Sequence, residues 1–333
     1  MHSKPGMAWR AWGLAAIALS DVAYPANAQT FPNRQITITV PYAAGGPTDS
    51  IARIVGERMG RTLGQTIIID NVVGGGGTLA GDKVAKSPPD GYTLLIQHLA
   101  LPAQPSLYPN LRYDTRTAFA PLGLVNSGPM VIVARKSIPA NTPAELWAWI
   151  KANGEKVTVG HAGVGTNSQL CEVLLAETLK TKLTYVTYRG AAPAMNDLMA
   201  GQIDILCDQS TNSVPQVLGG TVKAFAVTTA ERSAAIPDVP TVAEAGIPDV
   251  LFVVWHGLYA AKGTPDDVIA KLNTALSEAV DDPDVKAKFA SVGTVPYPAA
   301  QRTVAAHTTQ FFNDIDRIGK LVEAAGIKLD VGK

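Results

Sequence analysis

Short apolar runs alternate with amphipathic segments along almost the whole 333-residue chain, and this alternation limits the available folds more than any other feature. Short period-2 or continuous apolar runs read as strands, and apolar residues at i, i+3, i+4 spacing read as helices. Strand followed by helix, repeated, implies an α/β fold with mainly parallel sheets. The first unit runs from Ile36–Val40 into a helix carried by Ile51, Ile54, Val55, Met59 and Leu63 and closed by Gly64. Strands at 67–70 and 93–97 continue the series, with a glycine run at 74–77 and a short helix at 79–85 between them. After the helix start Thr142-Pro143 a second series places strands at 157–161, 183–188, 203–207 and 222–228, with helices at 166–179 and around 195–199.

Two long apolar runs, 122–134 and 250–261, bracket that second series and read as crossings between two lobes. Lobe 1 then takes residues 29–130 and 254–333, lobe 2 takes 131–253, and a ligand cleft lies between them. The C-terminal helices belong to lobe 1. Thr264-Pro265-Asp266-Asp267 reads as the N-cap of one, with Val268, Ile269, Leu272 and Leu276 on its inner face, and Phe311, Ile315 and Ile318 mark another.

Residues 1–28 read as a signal peptide: Lys4 and Arg10 precede an apolar stretch at 11–19, and Ala26-Asn27-Ala28 supplies a small-x-small cleavage site. The stretch is too short to span a bilayer. Without Lys4, Arg10 and Asp21 the 28 basic and 28 acidic residues become 26 and 27, so the mature chain carries no basic footprint for nucleic acid. Export to the periplasm opens two alternatives for Cys171 and Cys207, a disulfide or a pair of buried thiols.

Each series contains a strand, a small-residue loop and a helix start: "PYAAGGPTDS" and "GHAGVGTNSQ". Unpaired backbone N–H groups and the positive end of the helix dipole make such loops anion sites. Any one of them is more often an ordinary connection with an N-cap; two of one chemistry in an exported two-lobed chain favour a ligand. Tyr42, Ala44, Gly45, Gly46, Thr48 and Asp49 form the first candidate set, and Gly163, Gly165, Thr166, Asn167 and Ser168 the second. Arg189 and Gly190 lie between a strand and a helix, where the arginine is either a guanidinium for a carboxylate or, equally, a solvated residue of a surface loop. Asp208, after the next strand, is either a ligand acceptor or a helix cap, and Trp255 reads as a packing residue before a stacking one.

Enzyme signatures are absent from the sequence: there is no HExxH, GxSxG or CxxC, and His98, His161, His256 and His307 lack metal-ligand spacing. The glycine patterns at 75–80 and 163–168 are weak dinucleotide fingerprints, and the strand after the second ends in Tyr188-Arg189 without an acidic residue for a ribose. No metal or cofactor is expected.

Five segments in register, "ITVPYAAGGPTDSIAR", "IIIDNVVGGGGTLAGDKVAKSPPDGYTLL", "GHAGVGTNSQL", "YRGAAPAMNDLMAGQIDIL" and "IPDVPTVAEAGIPD", resemble the solute receptors of tripartite tricarboxylate transporters, the Bug proteins. The resemblance covers the chain from Phe31 to the last helix. It implies a type II periplasmic binding-protein fold, a monomer that closes two lobes on a small carboxylate and delivers it to a two-subunit membrane permease. It also implies that the loops at 42–49 and 163–168 hold one carboxylate. Family loops often carry phenylalanine at the position of Tyr42 and histidine at that of Gln169. An aliphatic or aromatic dicarboxylate is the expected ligand, with Arg189 for its second carboxylate; an exported enzyme and a ligand sensor are the alternatives.

Overall fold

The structure is a computed structural model that describes residues 1–2 and 30–324, with side chains as far as 320. Apart from Met1 and His2, the signal segment lies outside the described residues. Contacts divide the chain after Thr30, and the part from Phe31 onward is one compact unit.

In chain order the first half runs β1 (Ile36–Val40), α1 (Pro47–Leu63), β2 (Ile67–Asn71), α2 (Thr78–Ala85), β3 (Thr93–His98), α3 (Ala100–Leu107), β4 (Phe119–Arg135) and α4 (Pro143–Asn153). There follow β5 (Thr158–His161), α5 (Asn167–Leu179), β6 (Thr184–Thr187), α6 (Ala191–Met199), β7 (Ile205–Gln209), α7 (Ser210–Leu218) and β8 (Val222–Val227). The chain ends with β9 (Val253–Ala261), α8 (Asp266–Asp281), α9 (Pro283–Ser291), β10 (Val295–Pro296) and α10 (Val304–Ala324).

The main strand order is β2-β1-β3-β9-β4-β7-β5-β6. β1 pairs in parallel with β2 and β3, and β5 pairs in parallel with β6 and β7. The two parallel groups are joined by the antiparallel strands β4 and β9. Residues 119–129 of β4 pair with β9, while 130–135 pair with β7 and β8. β4 therefore belongs to both groups, and its pairing with β9 shifts register near Pro121 and between Leu124 and Asn126, where bulges bend a long strand.

Helices cover both faces of each group, as parallel strands require, although the edge strand β6 stays largely exposed. Around the first, α1, α8 and α9 pack Ile51, Val55, Met59, Leu272, Leu276 and Phe289 on one side, and α2, α3 and α10 bring Val84, Leu101, Phe311 and Ile315 to the other. Around the second, α4 and α5 supply Leu146, Ile150 and Leu175 opposite the α6 and α7 residues Met195, Leu198 and Val214. α1 ends on Gly64 in the left-handed conformation, and Thr142 caps α4 by accepting from the Glu145 N–H. Thr264 does not cap α8; its hydroxyl turns back to the Ala261 carbonyl and Pro265 holds the cap position. Cys171 on α5 and Cys207 on β7 form a disulfide.

Candidate functional site

The loops after β1 and β5 follow one plan. The Gly46 N–H reaches back to the Ala43 carbonyl at 3.4 Å, and the Thr166 N–H to the Gly163 carbonyl at 3.3 Å. Gly45 and Gly165 hold φ of +79° and +73°, a conformation that costs other residues ~1–2 kcal/mol. That turn aims each N–H at a side chain four positions on: Gly45 donates to Asp49 Oδ2 at 2.9 Å and Gly165 to Gln169 Oε1 at 2.8 Å. α1 and α5 thus begin with their first-turn N–H groups unspent. α6 begins against the first loop, because an added Cβ at Gly190 would stand 2.9 Å from Ala43 N. The Ala43 N–H donates to the Arg189 carbonyl at 3.2 Å, and Tyr108 Oη donates to the Val164 carbonyl at 2.6 Å. These two bonds tie the loops of one strand group to those of the other.

Where the loops meet lies a small cavity. Pro47 and Thr48 of α1, Thr166, Asn167 and Ser168 at the start of α5, and Ala191 of α6 line it. Each helix start places roughly half a positive charge there. His98 at the end of β3, Asp208 and Gln209 at the end of β7, and Tyr42, Met130 and Ala162 complete the wall. No lysine or arginine is among the lining residues, so an anion would be held by dipoles and neutral donors.

Those donors are identifiable. His98 Nδ1 accepts the Ala100 N–H at 3.1 Å, which leaves the proton of the neutral ring on Nε2. Burial, with His256 nearby, pushes the His98 pKa well below its usual value, so the ring stays neutral. Asn167 is buried and its Nδ2 has no protein partner. Tyr42 donates to Gln97 Oε1 at 3.1 Å, with its ring stacked on His98, so its oxygen remains as an acceptor. The Thr48 hydroxyl lies 3.2 Å from His256 Nε2. Beside the polar cavity, and sharing Asn167 with it, a small apolar cavity lies between α3, α5 and α10.

The structure brings Tyr42, Thr48, Thr166, Asn167, Ser168 and Asp208 to the cavity, and rearranges the rest of the expected set. Ala44, Gly45, Gly46, Gly163 and Gly190 shape the loops without lining it, and Gly165 faces the apolar neighbour. Asp49 is a clamp, with every acceptor direction it needs already used. It takes two bonds from Arg53, one from the Gly45 N–H and one from Asn71 Nδ2. Burial would raise its pKa, but those donors outweigh burial and hold it below the ordinary carboxylate value. Replacing Asp49 by alanine leaves the Gly45 N–H unpaired and Asn71 Nδ2 with only its bond to the Tyr42 carbonyl, at an expected cost of about 2 kcal/mol; urea unfolding measures it, and a cost under about 0.5 kcal/mol would remove the clamp. Arg189 is exposed and is not among the residues lining the cavity, and its carbonyl accepts from the Ala43 N–H of the opposing loop. Trp255 is a core residue, its indole N–H bonded to Asp314. His98 and Gln209 escaped the sequence reading, although both end strands, where open α/β sheets place ligands.

Two α/β halves joined by paired antiparallel strands, with helix starts from both meeting at a cavity free of fixed cations, define a two-lobed solute-binding protein. The chain belongs to the tripartite tricarboxylate transporter receptor family, whose model, TctC, matches residues 51–327. A UPF0065 protein from the TAR-I ttuE-ttuC' intergenic region of Agrobacterium vitis is 44% identical over 314 residues, covering 93% of this chain and 91% of its own. The solved periplasmic binding protein BugD is 39% identical with a TM-score of 0.87, over 90% of this chain and 99% of that one. MatC from Rhodopseudomonas palustris, solved with bound malate, is 39% identical with a TM-score of 0.84, over 88% and 100%. The family is one of solute receptors, not enzymes.

Proposed function

We propose that the chain is a periplasmic receptor that captures a small dicarboxylate between its lobes and passes it to a two-subunit membrane permease. The observation that carries this reading is the meeting of the α1, α5 and α6 starts around a cavity that His98 and Asn167 furnish with neutral donors. The malate held by MatC points to the same ligand class. Residues 29–130 with 254–333 form one lobe and 131–253 the other. The change of partners along β4 supports that division, and lobe closure is then a bend of β4 and β9. The receptor acts as a monomer after cleavage at Ala28.

A thermal-shift screen of residues 29–333 against mono-, di- and tricarboxylates tests the reading. A ligand at a hundred times its Kd adds ~2.7 kcal/mol and raises the melting temperature by a few degrees. A flat response to every carboxylate, with titration calorimetry also silent, would sink it. Thr166→Ala frees the Gly163 carbonyl from the hydroxyl that holds it at 2.7 Å and slackens the α5 start. Affinity for the best ligand should fall about tenfold, the equivalent of one hydrogen bond, with little change in the unliganded melt.

A further inference from the structure

The cavity's polar groups are of both signs. The helix starts, His98 Nε2–H and Asn167 Nδ2 all attract a carboxylate. Asp208, a residue 1% exposed, lines the same space. Asp208 Oδ1 accepts from the Gln209 N–H and Oδ2 from Asn212 Nδ2. A carboxylate has about four acceptor sites, so these two bonds leave it unsaturated toward the cavity. Lining residues include no lysine or arginine to answer it. The other acid close by, Glu172 on α5, is fully buried and does not line the cavity, and burial favours its neutral form.

A carboxylate-bearing ligand seated on the helix starts therefore meets Asp208 with some other part of itself. A methylene there leaves a buried charge short of partners, and a second carboxylate there repels it. A hydroxyl or ammonium donates to it. We propose that Asp208 is the specificity-determining acceptor of this receptor, selecting carboxylates that carry a hydroxyl or ammonium donor over their unsubstituted counterparts. This rests on the carboxylate-receptor reading above. Burial raises the Asp208 pKa to about 6, so the group is ionised at pH 8 and its preference is best read there. The malate in MatC carries both a carboxylate and a hydroxyl, which makes that chemistry the natural first probe.

The test is calorimetric titration of succinate, L-malate and L-aspartate at pH 8 into the wild-type chain and Asp208→Asn. The asparagine keeps an acceptor oxygen for one capping bond and removes the charge. In the wild type, malate or aspartate should bind at least tenfold tighter than succinate, malate leading if the donor is a hydroxyl and aspartate if it is an ammonium. In Asp208→Asn that preference should shrink at least tenfold, with succinate unchanged or tighter. An undiminished preference in the variant overturns the assignment, as do equal wild-type affinities for the three, a reading that needs no variant. Equal affinities leave the receptor reading standing, whereas binding of no carboxylate at all overturns both.

Discussion

Replacing Cys171 and Cys207 together by alanine should lower the stability by about 4 kcal/mol and weaken ligand binding with it. The bond closes a loop with a sequence separation of 36, and the chain-entropy model assigns a loop of that size a stabilisation of about 4 kcal/mol. Its position adds a functional consequence. Cys171 lies one turn into α5, whose start lines the cavity, and Cys207 immediately precedes Asp208. Ser168 Oγ donates to the Cys207 carbonyl at 2.7 Å, and the Cys207 N–H donates to Glu172 at 3.3 Å. The crosslink thus pins the cavity-lining end of one helix to the strand end that carries Asp208. Guanidinium unfolding of the variant, beside the reduced wild type, measures the loss. A loss below about 1 kcal/mol in both would show that α5 and β7 hold their places without the bond.

The features that sequence reasoning reached are those enforced locally. The α1 start follows from a glycine loop, a proline at N1 and an apolar face of regular spacing, and the structure adds only the clamp that finishes it. The equivalence of the two loops was visible in their composition. That Asp49 and Gln169 play the same part, each accepting a glycine N–H four residues back, was not, because an acid at a helix start is equally suited to a ligand or to its own backbone. α3 and α7 are poorly signalled for a related reason. α3 holds Pro102 and Pro105, and α7 begins Ser-Thr-Asn-Ser and contains Pro215. Local preference argues against both, and packing against α10 and β4 overrides it. The sequence left Arg189 open because a residue between a strand and a helix turns either into the cleft or away from it. Here its carbonyl takes the cleft side and its guanidinium faces solvent. His98 has no motif at all, and its role depends on Ala100 taking up Nδ1, which only the turn into α3 provides.

Acid should unfold this protein well before its surface carboxylates are all neutralised. Burial pulls His256 and His307 from the ordinary 6.5 to about 3, and neither has a charged partner. Both nitrogens of His307 lack a hydrogen bond, its ring lying against Tyr259 and edge-on to Trp255. In the unfolded chain these rings take up protons near pH 6.5, whereas in the folded chain they do so only near 3. Their stabilisation is complete above about 6.5 and is lost as the pH falls from there to about 3, at ~5 kcal/mol for each ring. His98 acts in the same direction. The loss from the pair alone matches the whole stability of a typical domain. Asp208, raised to about 6, and Glu172, raised further by complete burial, oppose it, since the folded state binds their protons first. Their effect grows as the pH falls through the raised values and stops near 4, where the unfolded chain protonates too. The balance places maximum stability in the mildly acidic range, with a steep decline below it. His307→Leu removes a titrating ring and two unsatisfied nitrogens from an apolar cluster, and should move the acid unfolding midpoint down by half a pH unit or more. Circular dichroism against pH for wild type and variant measures the shift. Coincident acid limbs would mean that His307 gains its proton without unfolding, and that the cluster around Tyr259 admits water.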